Sequence, residues 1–411
     1  MLNLHGSKFL IFFLFCYVSF SAKTVKTNKD LQNCIFSAQP FDTLIITKGF
    51  YICDSLLVNK PLTIIGENYP TFSGNNKNQI LVISANQVSV SKIKFANSGV
   101  SFLHDNSAIK LDGVKDCKIT ENIFDDNFFS IYLAKSQNCL IEHNRIIAYN
   151  KRQTLSGNGI HLWYCRNITI KNNFIQGHRD GIYLEFVRNS KIISNRSKNN
   201  LRYGLHFMFS DSCEYMKNIF EKNIAGVAVM YSKKVEMTEN QFLNNWGSSS
   251  YGLLLKDISE SNIRMNVFKK NTNGIYFEAC GKTNIVQNKF IENGWALRLM
   301  ANSMDNVFRF NSFSSNTFDI STNSKNNYNL FENNYWSEYS GYDLNKDGIG
   351  DIPFRPVKLF SVVSEKNRPT LILLNSILIK ILDIAEKIFP SITPENLIDN
   401  KPLMRPTYDK V

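Results

Sequence analysis

Residues 119–124 read Ile-Thr-Glu-Asn-Ile-Phe, and this pattern of an apolar residue, two variable residues, asparagine, a variable residue and an apolar residue recurs along the chain. It returns at 141–146 as Ile-Glu-His-Asn-Arg-Ile and at 170–175 as Ile-Lys-Asn-Asn-Phe-Ile. Most copies lie 22 or 23 residues apart, which predicts a solenoid of stacked coils. The ten copies are centred on Asn122, Asn144, Asn173, Asn195, Asn218, Asn240, Asn266, Asn288, Asn311 and Asn333.

Each repeat contains three short runs of alternating apolar residues, and each run is too short for a helix. Such strands find partners only in the equivalent strands of the coils above and below. The repeat therefore predicts an all-β fold, a right-handed parallel β-helix. Its asparagine falls at a turn, where it tolerates left-handed backbone geometry, and stacked amides can hydrogen-bond along a ladder. We expect these asparagines to be structural.

The N-terminus resembles a cleaved export signal, because Lys8 precedes the apolar stretch Phe9–Phe20 and small residues surround Ser21. An oxidising compartment would allow Cys34 and Cys53 to pair. The expected regions are an export signal (1–21), an N-terminal cap (22–42), the β-helix (43–335), an acidic loop and linker (336–369), an amphipathic helix (370–389) and a tail (390–411).

The composition sets limits on the partners. The 411 residues are 43% hydrophobic, enough for a buried core, and carry a formal net charge of +12. These charges are scattered along the chain, whereas nucleic-acid binding needs a basic stripe on one face. We therefore expect no nucleic-acid partner. A basic protein can still face an anionic membrane or an acidic protein.

One strand per coil carries the phrase Gly-apolar-x-apolar-x, as in residues 159–163 and 204–208. Strand alternation places the apolar positions inside and the x positions outside. The x positions then form two outer ladders. The first is Tyr132, His161, Tyr183, His206, Ala228, Leu254, Tyr276 and Arg298, and the second is Ala134, Trp163, Glu185, Met208, Met230, Lys256, Glu278 and Met300.

These ladders suggest a binding face with three possible occupants. Imidazole and thioether are soft ligands that suit copper, especially Cu(I). A row of aromatic residues with carboxylates and arginine could instead hold an acidic polysaccharide, as in a lyase or epimerase. A methionine-rich face could also dock a protein. The candidate copper ligands are His161, Glu185, His206, Met208 and Met230, and the candidates for a lyase are Glu185, Lys256, Glu278 and Arg298.

Two insertions break the regular spacing, around residues 151–157 and 246–250. Both precede the same strand of their coils, so we expect both to emerge on one edge of the solenoid. Loops that project from a solenoid often lie at its working face.

An acidic passage after the last coil has oxygen-bearing residues at alternate positions and a glycine at its turn, like an EF-hand loop. Phe354 stands where such a loop has its bidentate glutamate. The passage predicts either a structural calcium site or an Asx-rich turn. The candidate ligands are Asp343, Asn345, Asp347, Asp351 and, through its carbonyl, Ile349.

Residues 371–389 lie between Pro369 and Pro390 and predict one amphipathic helix. Charged residues such as Lys380 and Asp383 argue against a membrane-spanning helix. We expect the helix to lie on a membrane surface or dock on a membrane partner, or alternatively to fold back along the solenoid. The expected docking residues are Leu371, Leu374, Leu378, Ile381, Leu382 and Ile388.

The chain resembles the NosD family in four features. These are an export signal, coils with a recurring asparagine, the run Asn334-Tyr335-Trp336, and the acidic passage that ends in Pro353-Phe354-Arg355-Pro356. The resemblance implies a periplasmic, non-enzymatic protein that helps to mature the copper sites of nitrous-oxide reductase. It further implies an ABC transporter partner with NosY-like permease and NosF-like ATPase, and a NosL-like copper chaperone. It assigns no copper ligands, so the five above come from strand geometry alone.

Overall fold

The computed structural model describes residues 22–101, 104–149, 151–300, 302–323, 327–374, 376–389 and 397–406. These form a right-handed parallel β-helix, as the repeat predicts, with one strand of each coil in each of three sheets. The expected export signal (1–21) and part of the tail lie outside the described residues.

Sheet 1 has 14 strands within the described residues. They are Ala22–Val25, Thr43–Ile46, Thr63–Gly66, Ser89–Ser91, Lys118–Thr120, Leu140–Glu142, Thr169–Lys171, Lys191–Ile193, Glu214–Met216, Glu236–Thr238, Asn262–Arg264, Asn284–Val286, Val307–Arg309 and Leu330–Glu332.

Sheet 2 has 13 described strands. They are Phe50–Ile52, Thr71–Ser73, Lys94–Ala96, Ile123–Asp125, Arg145–Ile147, Phe174–Gln176, Arg196–Lys198, Ile219–Glu221, Gln241–Leu243, Val267–Lys269, Lys289–Ile291, Ser312–Ser314 and Tyr335–Trp336.

Sheet 3, which follows sheet 2 in each coil, has 12 described strands. They are Leu56–Val58, Leu81–Ile83, Ser107–Asp112, Phe129–Ala134, Ile160–Trp163, Asp180–Glu185, Tyr203–Met208, Ala225–Lys233, Tyr251–Ser259, Asn273–Glu278, Trp295–Leu299 and Phe318–Thr322. Both insertions lead into strands of this sheet, as expected.

The core is a column of buried side chains that repeats coil by coil. In sheet 2, stacked rings run along the column with centroids 4.2 to 5.6 Å apart. Aromatic stacking adds to the burial of apolar area, so each coil holds its neighbours in register. The rings of this run are Phe220, Phe242, Phe268, Phe290, Phe313 and Trp336.

The asparagine ladder is present, with two corrections. Each amide bonds to the next, as between Asn240 and Asn266, whose Nδ2 and Oδ1 lie 3.0 Å apart. In the last coil the ladder residue is Asn334, one position beyond the predicted Asn333. The left-handed turn residue is the one before each ladder asparagine, for example Glu239 before Asn240. The ladder residue itself stays outside the left-handed region, because both its backbone and its amide bond to neighbouring coils.

A second ladder, missed by the sequence analysis, lies five residues after the first. Its members bond in the same way, as in the 2.9 Å bond from Asn245 Nδ2 to Asn271 Oδ1. The five-residue spacing between paired asparagines was a sequence signal for it. The members are Asn200, Asn223, Asn245, Asn271, Asn293 and Asn316.

Helices cover parts of the solenoid's ends. Helix α1 (Asn28–Ser37) buries Leu31 and Ile35 at the N-terminal end. Toward the C-terminus come helix α2 (Leu359–Lys366), a 3₁₀ helix (Arg368–Leu373) and helix α3 (Ile377–Ile388). A further 3₁₀ helix (Gln153–Leu155) lies in the first insertion.

The expected single helix at 370–389 is thus divided. Ser376 caps α3 with its side chain, which accepts a hydrogen bond from the Ile379 amide, so a new helix starts there. The seven cysteines of the described residues are free thiols, so the expected pairing of Cys34 with Cys53 is absent. No helix within the described ranges is both long and apolar enough to cross a membrane.

Candidate functional site

The outward side chains of sheet 3 follow the two predicted ladders. Strand pairing places Tyr132, His161, Tyr183 and His206 on successive coils. It also stacks the second ladder in the predicted order from Trp163 through Glu185, Met208 and Met230 to Lys256. We call the side chains of His161, Glu185, His206, Met208 and Met230 the Met/His face.

The Met/His face is more covered than outward strand positions suggest. His206 is only 6% exposed and Ala228, the next residue of its ladder, is fully buried. Tyrosine rings provide part of this cover, because the His206 ring lies 4.9 Å from Tyr183 and 4.7 Å from Tyr203. Glu185, Met208 and Met230 remain partly exposed. A buried imidazole thus lies beside accessible thioethers.

The structure separates the two histidines of this face. His161 lies two coils from His206, with Tyr183 between them. Its ring stacks on Tyr132 at 4.6 Å and lies 4.7 Å from Tyr183. Burial, with a further contribution from Arg179, lowers the pKa of His161 to about 3, so the ring is neutral at ordinary pH.

Asp180, which is not among the predicted site residues, contacts His206 of the Met/His face. It is fully buried, and Arg202 donates from Nε to Oδ1 at 2.8 Å and from Nη2 to Oδ2. The Nδ1 atom of His206 lies 3.4 Å from the same Oδ2. Burial alone would raise the pKa of Asp180, but the bonds from Arg202 and His206 outweigh it, so the pKa is lowered and the carboxylate is ionised.

A sequence signal for Asp180 existed. It immediately precedes Gly181 of the repeated phrase, at a strand position that pairs with Tyr203 of the next coil. The predicted ladders include only positions after the glycine. Side chains at the earlier position also reach the outer face, as the contact with His206 demonstrates.

The second ring nitrogen of His206, Nε2, is buried and forms no hydrogen bond within the described residues. An unpaired buried polar atom destabilises a protein by about 1–3 kcal/mol, and in a native protein it often indicates a bound ion or a functional role. The Asp180–His206 contact matches the arrangement in which a carboxylate orients a metal-binding histidine.

No cluster of three or more histidine, cysteine, aspartate or glutamate side chains able to hold a metal occurs in the part of the chain that the structure describes. A metal at His206 would therefore depend on Met208 and Met230. Thioether sulfur is a soft ligand, which selects Cu(I) over harder divalent cations.

The residues proposed for a lyase are engaged elsewhere. Lys256 and Glu278 form an ion pair of 3.2 Å. Arg298 bonds to Glu365 of helix α2 through two nitrogens, and both side chains are largely buried. Three of the four candidates are therefore held in two separate ion pairs and do not form one group with Glu185.

Next to the second ladder is a row of exposed aromatic residues. Tyr164, Phe186, Phe209 and Tyr231 stack with centroids 4.6, 5.2 and 5.0 Å apart. All four have positive φ, near 50°, which bulky residues seldom adopt. A cavity of about 300 Å³ beside the row is also lined by Gln137, Cys165, Arg166 and Arg188. This row immediately follows the ladder residues in sequence, a signal the sequence analysis did not use.

The C-terminal helices pack on the last coils of sheet 3. Ile379 is buried with Phe318 and Phe360, and Leu371, Leu374 and Leu382 pack around this cluster. Three of the six expected docking residues therefore face the solenoid. The other three, Leu378, Ile381 and Ile388, are more than half exposed, as are Ile377, Ile384 and Phe389.

The acidic passage forms a compact turn. Asp343 accepts hydrogen bonds from the amides of Asp347 and Gly348, and Asp351 accepts one from Leu344 at 2.7 Å. Asn345 likewise accepts from the Asp347 amide. These bonds fit the Asx-rich turn, one of the two alternatives for this passage.

A family model described as periplasmic copper-binding protein (NosD) matches residues 146–341. Relatives named "Probable ABC transporter binding protein NosD" occur in Stutzerimonas stutzeri and Pseudomonas aeruginosa. Both are 35% identical, over 19% and 18% of this chain. The alignments span 18% and 17% of the length of those relatives.

Solved structures share the fold. PfbA, a surface adhesin of Streptococcus pneumoniae, has a TM-score of 0.60 at 16% identity, covering 73% of this chain and 93% of its own. The alginate lyase AlyF-OU02 has a TM-score of 0.58 at 11% identity, covering 77% of this chain and 85% of its own. At these identities the likeness shows the fold alone.

Proposed function

We propose that the protein is a periplasmic, non-enzymatic accessory protein that handles copper for a partner enzyme. The match of residues 146–341 to the family model described as periplasmic copper-binding protein (NosD) supports this proposal. The relatives' printed names support an ABC transporter as one partner. The family resemblance supports nitrous-oxide reductase as the recipient of the copper and a NosL-like chaperone as its donor.

The observation that carries the copper proposal is the buried, unpartnered Nε2 of His206. Met208 follows two residues later on the same side of the strand, and Met230 pairs with Met208 in the next coil. One imidazole and two thioethers are a donor set that fits Cu(I). In this proposal copper is the cargo, bound at the outer face of the solenoid from which a partner can take it.

The exposed apolar row of α3 supports docking on a membrane partner. Six side chains, Ile377, Leu378, Ile381, Ile384, Ile388 and Phe389, are each more than half exposed. A contiguous apolar row of this kind marks an interaction surface. We propose that it contacts the transporter permease or the membrane surface beside it.

The lyase or epimerase alternative has less support. Three of its four candidate residues are held in two separate ion pairs, and this alternative gives α3 no role. An accessory role explains both the Met/His face and the apolar row.

Anaerobic titration with Cu(I) against a chromogenic competitor tests the copper proposal. We expect the His206→Ala/Met208→Ala/Met230→Ala variant to bind Cu(I) at least about 100-fold more weakly than the wild type, since ligand loss should exceed the effect of losing an outer-shell partner. The matched control is His143→Ala/Met265→Ala/Met304→Ala, which removes the same side-chain types from exposed positions elsewhere. Equal affinity of the wild type and the first variant would refute the site.

A further inference from the structure

The two histidines of the Met/His face have different hydrogen-bond partners at the same ring atom. Nδ1 of His161 lies 3.0 Å from Nδ2 of Asn158, an amide nitrogen that can only donate. Nδ1 of His206 lies 3.4 Å from Oδ2 of Asp180, a carboxylate oxygen that can only accept. Because a neutral imidazole carries one ring proton, these partners select opposite tautomers.

In His161 the Nδ1 lone pair is taken by Asn158, so the ring proton is on Nε2. Neither nitrogen then has a lone pair for a metal. The ring is also enclosed between Tyr132 and Tyr183. His161 is therefore suited to packing within this face.

In His206 the proton is on Nδ1, directed at Asp180, and the Nε2 lone pair is free. Arg202 binds both carboxylate oxygens of Asp180, which fixes the plane of the carboxylate. Hydrogen bonds thus link three side chains in series, from Arg202 to Asp180 and from Asp180 to the His206 imidazole. At the end of this series is the buried His206 Nε2, which has no hydrogen-bond partner among the described residues.

We propose that Asp180 is a positioning residue that fixes His206 as the Nδ1-protonated tautomer, and that His206, not His161, supplies the imidazole ligand of the copper site. This inference rests on the proposed function and narrows it, since the five candidate ligands include both histidines. The metal centre it describes has a single imidazole with the thioethers of Met208 and Met230.

Long-range ¹H–¹⁵N NMR of the full chain, labelled only at its six histidines, tests the tautomers without copper. His161→Ala and His206→Ala variants assign the two signals. We expect an Nε2-protonated ring for His161 and an Nδ1-protonated ring for His206. The same tautomer at both positions would overturn the proposal.

The Asp180→Asn variant provides a sharper test. With the amide oxygen at the Oδ1 position, where it accepts from Arg202 Nε, the amide nitrogen faces His206 Nδ1 and reproduces the arrangement of Asn158 with His161. We expect the His206 tautomer to switch and the Cu(I) affinity to fall by about 10- to 100-fold, as for other outer-shell partners of metal-binding histidines. His161→Ala should change the affinity by less than about twofold if that ring is not a ligand.

Controls separate this inference from folding and from the proposed function. The Asp180→Asn/Arg202→Gln variant removes both charges of the pair. It tests whether an unpaired arginine, rather than the His206 tautomer, lowers the affinity for Cu(I). Recovery of the wild-type Cu(I) affinity in this variant would overturn the proposal. If the wild type binds no Cu(I), the proposed function fails, and the NMR result still decides the role of Asp180. If the wild type and Asp180→Asn bind Cu(I) equally, the positioning role alone fails.

Discussion

At the scale of single residues, the solenoid depends on buried amides. Asn240 is fully buried, and its side chain donates to the carbonyl of Tyr215 at 2.9 Å and to Asn266 at 3.0 Å. Its Oδ1 accepts from both the backbone and the side-chain nitrogens of Asn218. A buried side-chain amide does not destabilise the fold here, because each of its donors and acceptors has a hydrogen-bond partner.

Replacing Asn240 with alanine should therefore destabilise the protein strongly. The change removes four hydrogen bonds and leaves the Asn218 amide without its acceptor, so we expect the free energy of unfolding to fall by about 3 kcal/mol. Urea unfolding followed by circular dichroism measures it. Asn284→Ala is the control, because Asn284 is exposed and its amide bonds to Asn262 on the surface. A loss no larger than the control's would refute a stabilising ladder.

Sequence alone identified the first ladder because its asparagine recurs at a nearly constant spacing. It misplaced the last member by one position, since Asn333 and Asn334 are adjacent and only hydrogen bonding distinguishes them. Asp180 was missed for a different reason. Its position before Gly181 is visible in the sequence, but its role depends on contacts with Arg202 and His206 from the next coil, which the repeat pattern does not predict.

At the scale of elements, α2 is attached to the solenoid by a buried ion pair. Arg298 and Glu365 have side chains 7% and 10% exposed, and Ser321 donates to the same carboxylate at 2.7 Å. Removing one partner of a buried ion pair leaves an uncompensated buried charge. This destabilises the fold by more than the intact pair stabilises it. The helices of the C-terminal segment should therefore respond to a change in the solenoid wall.

We expect Arg298→Leu to weaken the attachment of α2 by about 3–5 kcal/mol. Hydrogen exchange should then be faster across residues 359–388, with exchange in the central coils unchanged. Lys256→Leu is the matched control, because Lys256 pairs with Glu278 on the surface, where solvent screening leaves an ion pair little effect on stability. Unchanged protection of α2 in Arg298→Leu would contradict the role of this pair.

The two sides of α3 should behave differently on substitution. Ile381→Ser/Ile384→Ser changes exposed side chains, so stability should shift by less than about 0.5 kcal/mol. Co-purification with a co-expressed ABC permease and ATPase should nevertheless be lost. Ile379→Ser should destabilise the helix packing by about 2 kcal/mol or more, because Ile379 is buried against Phe318 and Phe360. Retained co-purification of the first variant would exclude this face as the docking surface.

The amphipathic pattern of residues 371–389 indicated an apolar side but not which of two apolar sides faces outward. Leu378 and Leu382 are equivalent by composition, yet Leu378 is exposed and Leu382 packs on the solenoid. The sequence also did not predict that the helix divides at Ser376. A serine at this position can either cap a new helix or lie within a continuous one, and the two differ little in free energy. Packing against the last coil decides both.

At the scale of the whole molecule, the chain closes its solenoid with its own tail. Asp399 is fully buried, and its Oδ2 accepts from Asn334 and from the Trp336 indole nitrogen, both at 3.1 Å. The asparagine ladder thus ends on a carboxylate supplied from 65 residues further along the chain. An open solenoid end exposes unpaired strand edges, which promote association between chains, and capping prevents this.

The junction of the last coils, the acidic passage and α3 encloses a cavity of about 600 Å³ that should make stability depend on pH. Its lining includes Asp319, Glu338, Asp383 and Glu386 together with Lys358. Burial raises the pKa of Asp319 to about 7, with a further contribution from Glu338 and opposing effects of Asn316 and Lys358. In the unfolded chain an aspartate titrates near pH 3.9.

Because the folded-state pKa of Asp319 is raised, its contribution to stability is present below about pH 4 and is lost as the pH rises through about 7. Asp319→Asn should keep the bond from Asn316 and cannot ionise. We expect the variant and the wild type to have similar melting temperatures at pH 4, and the variant to melt increasingly above the wild type as the pH rises to 8. Comparing the two proteins cancels the opposite effect of His161 and His178, whose lowered pKa values favour folding at higher pH. A constant difference in melting temperature between the wild type and Asp319→Asn across this range would refute the Asp319 carboxyl as the source of the pH dependence.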